Sequence, residues 1–388
     1  MEPTRILKKR VYPILLCVLT ILFALGFLLF PTETAGGVTS GLELCLTRLL
    51  PATFPFVVLS SFCVYSGVSR ILGTVLSPLT KWLFHLPGCC GSVILLGWLG
   101  GYPVGARGIV SLYQHGNITK QQGERLLWFC VSAGPSFSIS VIGIAIYGDV
   151  HFGLLLFACQ TTALFCMGVF FSIVSRIKKE PLFSSQEVSD NATPVPFSTA
   201  LVRAADDGAR GALNLCSFVM LFNAMIEPLY GCGILTGISS LLQKIGLSPQ
   251  LSMAAFPILW EISSGITFAG WAGVPLWSIV LFTAMGGLCV WGQILAAVAP
   301  LSISVGKFFL SRILHGILSL TLFLICRPLV SLPEPTSQVF ANRSVLLPYQ
   351  ISSGGTTPIA AVLCGCTLLL FCIVFLVSNK KEVFPKQR

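Results

Sequence analysis

Of the 388 residues, 54% are hydrophobic and only 10% are charged, with a formal net charge of +10. A soluble domain carries about 25% charged residues, so the composition excludes the soluble class. The basic residues sit in short clusters beside apolar runs (Arg5, Lys8, Lys9 and Arg10; Arg176, Lys178 and Lys179; Lys380, Lys381, Lys386 and Arg388), not on one face as a nucleic-acid footprint would. The expected partner is therefore the lipid bilayer, with no nucleic acid.

Residues 11–30 form an apolar run of spanning length. It exceeds the ~7–15 residues of a signal-peptide core and so reads as a retained first helix. An amphipathic stretch at 42–50 leads into a second span near 54–68, and 71–86, with Pro78, Lys81 and His85, reads as a helix lying at the interface. The next apolar segment contains Gly100-Gly101-Tyr102-Pro103-Val104-Gly105. Glycine and proline so concentrated cannot sit in one straight helix, and a re-entrant hairpin over 88–113 is expected. Thr119 is placed to cap a helix from Lys120 that breaks at Gly134-Pro135 and resumes to about Tyr147. A straight span at 152–174 follows, and the polar, proline-containing 178–196 reads as a linker.

The second half repeats that order: an amphipathic stretch at 197–212 with a short span at 213–229, then an interfacial helix at 234–245. A broken hairpin at 252–271 around Pro257, Glu261 and Gly265 comes next, then a span at 276–298 interrupted by Gly286-Gly287, then a straight span at 305–326. A polar loop at 331–357 precedes a last span at 359–377. Basic flanks place both termini in the cytoplasm, and alternate counting then opens the two hairpins to opposite sides. The expected fold is an all-α integral membrane protein with about eight transmembrane helices plus two re-entrant hairpins in two inverted repeats.

Two stretches carry candidate chemistry. At Gly101, Tyr102, Pro103 and Gly105 the break exposes amides and carbonyls, which a membrane tolerates only against protein or a wet cavity. Arg107 adds a full charge; the bland alternative is a turn between packed half-helices, with Arg107 snorkelling to the headgroups. Glu261, a carboxylate in an apolar hairpin, is a functional hypothesis by default or else a structural partner for a basic group, and an Arg107–Glu261 pairing suits either reading. Ser263 and Ser264 can serve a ligand or their own backbone, and Gln293 follows the Gly286-Gly287 break. Glu124, Arg125 and Glu227 read as solvated or interfacial. Most of the fifteen cysteines lie in apolar runs as small hydrophobes, and the four histidines are scattered. With no metal-ligand spacing, nucleotide loop or nucleophile motif, neither an enzyme nor a cofactor is expected.

The chain resembles the YlbJ-like sporulation integral membrane proteins of the nucleoside-transporter/FeoB gate-domain (nucleoside recognition) family. The motifs are Leu50-Pro51-Ala52-Thr53-Phe54-Pro55-Phe56, Gly101-Tyr102-Pro103-Val104-Gly105-Ala106-Arg107, Glu124-Arg125-Leu126, Ala133-Gly134-Pro135-Ser136-Phe137, and Gly286-Gly287-Leu288 followed by Gln293. Trp128-Phe129-Cys130-Val131-Ser132 and Cys289-Val290-Trp291-Gly292 stand where the family pattern is more polar. The resemblance implies gate-like repeats at 42–177 and 197–330, flanked by a first-helix segment at 1–41 and a last-helix segment at 358–388. It adds Ser136 to the candidate solute-binding set. The implied function is a permease-like protein for a small polar solute, nucleoside-like in class, serving endospore formation; the alternative is a non-transporting scaffold or signalling partner in spore assembly. Homo-oligomerisation is left open.

Overall fold

The computed structural model describes residues 3–180, 195–330 and 358–378, and these contain helices and no strand. The expected linker lies outside the described residues except at its ends; the loop at 331–357 and the tail beyond 378 lie wholly outside. Six helical segments are long and apolar enough to cross a membrane among the described residues.

Helix α1 (Pro3–Leu29) is followed by α2 (Pro31–Tyr65), a single 35-residue helix with one π-turn at Cys45–Leu49. Its counterpart in the second half, α9 (Phe197–Gly231), has the same 35 residues. At 1.5 Å per residue each is about 50 Å long, well beyond a hydrocarbon core of about 30 Å, so both must tilt or project. The sequence expectation split each of them into an amphipathic stretch and a shorter span. That split is corrected here, because polar residues lower hydropathy without breaking a helix. Arg210 pairs with Asp206 one turn back at 3.0 Å, and Tyr65 donates to Asp207 at 2.8 Å, tying the end of α2 to the polar first turns of α9.

The two long helices pack antiparallel. Near the start of α2, a Cβ on Gly37 would lie 2.5 Å from the Asn223 carbonyl oxygen; near its end, Val58 and Phe54 abut Gly208. Small residues permit this approach, the means by which helices associate where lipid removes the hydrophobic incentive.

After each long helix comes a short amphipathic one, α3 (Val68–Phe84) and α10 (Ile234–Lys244). In α3 the stripe Ile71, Val75, Leu79 and Trp82 is exposed, while Gly73, Thr80 and Phe84 are buried, so its apolar face looks outward as a bilayer requires. The first hairpin is α4 (Cys90–Gly100) and α5 (Tyr102–Gln114); the second is α11 (Pro249–Trp260) and α12 (Ile262–Trp271).

Broken helices follow: α6 (Lys120–Phe129) with α7 (Ser136–Tyr147), and α13 (Leu276–Met285) with α14 (Leu288–Ala297). The start of α6 is fixed by a capping box, Thr119 accepting from the Gln122 amide while the Gln122 side chain accepts from the Thr119 amide. Each half ends in a straight helix, α8 (Val150–Ile177) and α15 (Val305–Cys326), and α16 (Pro358–Ser378) packs beside α1 and α9. Helices α8 and α15 are also antiparallel, Phe152 meeting Phe323 and Gln160 meeting His315. Corresponding elements thus run in opposite directions at two separate pairings, the geometry of an inverted repeat.

The ends of α3 and α8 are tied to the middle of α6 by Arg125. Its guanidinium reaches Glu180 at 3.3 Å and also bonds Ser175 and the His85 carbonyl. Ser175 and Gln121 each donate to Glu180 at 2.5 Å. With 11% of its side chain exposed, Arg125 is a largely buried tie and not a solvated group; the alternative reading of this helix as interfacial stands. Glu124 is partly exposed and lies 3.8 Å from Lys307.

Candidate functional site

Breaking a helix inside a membrane orphans its last carbonyls and the first amides of the segment that resumes, and each must find a partner. The turn at Gly101 has φ +84° and ψ −176°, a conformation only glycine adopts freely. It rests on the other break of its own half: a Cβ on Gly134 would lie 3.1 Å from the Gly101 nitrogen. The second half repeats this docking, for a Cβ on Gly287 would lie 3.0 Å from the Ile258 carbonyl oxygen at the tip of α11–α12. Each hairpin tip therefore seats on the adjacent broken helix, and four breaks share the protein interior.

The carbonyls at the breaks after α6 and α13 are met by side chains. At the end of α6, Trp98 donates to Phe129 at 2.7 Å, while Arg312 donates to Trp128 at 2.7 Å, Val131 at 2.8 Å and Leu127 at 3.5 Å. At the end of α13, Tyr102 donates to Thr283 at 2.8 Å and Trp291 to Met285 at 2.8 Å, and His315 Nδ1 lies 2.9 Å from the Ala284 oxygen. His315 Nε2 is also 3.1 Å from the Gln160 carbonyl oxygen; a neutral imidazole donates to one of these two at a time. Both Arg312 and His315 come from α15 and are fully buried.

The amide ends are treated differently. Helices α5, α7 and α14 begin without a side-chain cap. Helix α12 begins on Glu261, which is 1% exposed and accepts from the amides of Ser263 at 3.0 Å and Ser264 at 2.7 Å. The carboxylate thus neutralises the positive end of its own helix.

Of the residues expected from sequence, Gly101, Tyr102 and Ser136 lie at the breaks and are buried. Pro103 occupies the first turn of α5. Gly105 has a packing reason for its identity, since a Cβ there would lie 2.4 Å from the Cys130 carbonyl oxygen. Ser263 is buried beside Glu261; the Ser264 hydroxyl returns to the Glu261 carbonyl at 3.4 Å. Gln293 reaches Cys289 at 3.5 Å.

Arg107 stands apart. It is exposed, it lies 3.7 Å from where a Cβ on Gly211 of α9 would sit, and no ion pair joins it to Glu261 among the described residues. The expected Arg107–Glu261 pairing is therefore corrected: Glu261 is satisfied by its own helix, and the first hairpin reaches the second half through Tyr102. Sequence reading passed over Arg312 and set His315 aside as scattered. The available signal was a cation and an imidazole three residues apart inside the apolar run of α15.

Residues 46–176 match a protein-family model described as Gate, nucleoside recognition. Over 328 residues, 78% of this chain and 80% of the relative, the chain is 24% identical to the sporulation integral membrane protein YlbJ of Bacillus subtilis (strain 168). Among solved structures, that of a doubly substituted CNTnw in an outward-facing state is similar at 13% identity and a TM-score of 0.43, covering 85% of this chain and 88% of that one. The chain is thus a helical integral membrane protein that is similar over most of its length to a sporulation membrane protein and whose residues 46–176 match the nucleoside-recognition gate model.

Proposed function

We propose that the chain is a permease-like protein for a small polar solute, nucleoside-like in class, that serves endospore formation by alternating movement of its two halves, with both termini cytoplasmic. The observation behind this reading is the asymmetry of the breaks. The carbonyl ends of α6 and α13 are occupied by Arg312, Trp98, Tyr102, His315 and Trp291, whereas the amide ends of α5, α7 and α14 carry no side-chain cap. Half-helix N-termini without a side-chain cap present the positive end of the helix dipole, which favours a solute rich in acceptor oxygens, as ribose and base carbonyls are. Gly101, Tyr102, Ser136, Glu261, Ser263, Ser264 and Gln293 line this interior in the proposal, with Arg107 at its α9 edge. The nucleoside class rests on the gate-family match and the spore role on the named relative.

The test is uptake of labelled nucleosides into liposomes holding the purified protein. Saturable uptake is expected. Glu261→Gln, which keeps one acceptor for two amides, should lower it about tenfold per folded molecule. A folded wild type that transports no nucleoside, yet complements a sporulation defect, would support the scaffold alternative instead.

A further inference from the structure

Arg312 is a full charge with no exposed surface, set in the apolar helix α15, and no carboxylate pairs with it among the described residues. Desolvating a guanidinium without compensation is costly. Its compensation here consists of dipoles: the carbonyl oxygens of Trp128, Val131 and Leu127, the Ser311 hydroxyl at 3.3 Å, and the Phe308 ring with its centroid 5.7 Å away. Three of those oxygens belong to the negative end of α6 and the residues just beyond it, where the macrodipole favours a cation. Carbonyls freed at the C-terminal end of a broken membrane helix are also a donor set that holds monovalent cations, so the same oxygens suit a free ion.

We infer that Arg312 is a tethered cation, whose guanidinium occupies the place at the α6 break where a free Na+ or K+ ion would otherwise bind. The break is then charged, closed and permanently loaded. Nothing of this kind exists at the α13 break, where the oxygens of Thr283, Ala284 and Met285 meet a phenol, an imidazole and an indole. One consequence rests on the permease reading: solute movement would not be coupled to a monovalent cation at the α6 break.

The occupancy itself is tested without any solute, by thermal unfolding of the full-length protein in detergent in NaCl, KCl or choline chloride at equal ionic strength. The wild type should melt within about 1 °C in all three salts, and Arg312→Lys, which keeps a charge, should share that indifference. Arg312→Gln and Arg312→Ala should melt lower in choline and regain about 3 °C or more in Na+ or K+, as a free ion enters the vacated place. A wild type stabilised by Na+ or K+ over choline would overturn the inference, as would a folded Arg312→Gln protein that melts alike in the three salts. Should neither neutral variant fold in any salt, the wild type and Arg312→Lys decide: indifference in both supports the tethered cation, and a response in either sinks it. Because no solute is present, a failure here leaves the uptake reading untouched, and a failure of uptake leaves this inference standing.

Discussion

The breaks after α6 and α13 occupy corresponding places in the two halves, yet they are stabilised by different chemistry. After α6 one guanidinium gathers three carbonyls, helped by the indole of Trp98; after α13 Tyr102 and Trp291 take one carbonyl each, and His315 takes a third in the tautomer that carries its proton on Nδ1. A charged, forked donor is rigid and strong but must stay where its acceptors are. Single neutral donors are weaker and independent, so such a break can exchange one partner without losing the others. The comparison marks the α6 break as the fixed point of the interior and the α13 break as the one able to rearrange.

The sharpest way to break this contrast is Arg312→Ala. Three buried carbonyls lose their donor together, and the expected loss is roughly 3 kcal/mol or more, seen as a large fall in folded, monodisperse protein and in melting temperature. Next in size are the hairpin crossings. Gly97→Ala drives a methyl to 2.2 Å from the Cys130 carbonyl oxygen, and Gly265→Ala to 2.4 Å from Ile258 Cα. Each should cost about 1–3 kcal/mol in thermal unfolding; a difference between them would show which hairpin has room to yield. Smallest is Tyr102→Phe, which leaves only the Thr283 carbonyl without its donor, at about 1 kcal/mol. A Tyr102→Phe effect equal to that of Arg312→Ala would erase the distinction between the two breaks.

The breaks themselves were legible in the sequence because glycine and proline punctuate a membrane helix by their backbone chemistry alone: Gly100 to Gly105, Gly134-Pro135 and Gly286-Gly287 all fall where the chain turns. The long helices α2 and α9 were not, because hydropathy reports a residue's environment and Arg203, Asp206 and Asp207 obey helix periodicity in spite of it. The Arg107–Glu261 pairing failed because two opposite charges in one membrane suggest each other, while a carboxylate two residues before a pair of free amides has a nearer partner. Arg312 escaped for the complementary reason. Its partners are backbone carbonyls, which every residue possesses, so no second residue type in the sequence announces them.

The bond from Arg312 to Val131 spans 181 positions of the chain. Synthesis at about 5–20 residues per second separates the two groups by roughly ten to forty seconds. For that interval the newly made first half lies in the membrane with the end of α6 lacking its cation. A nascent chain at that stage holds polar backbone in the bilayer that only a much later helix can cover, and it is therefore a substrate for insertion chaperones and membrane proteases until α15 arrives.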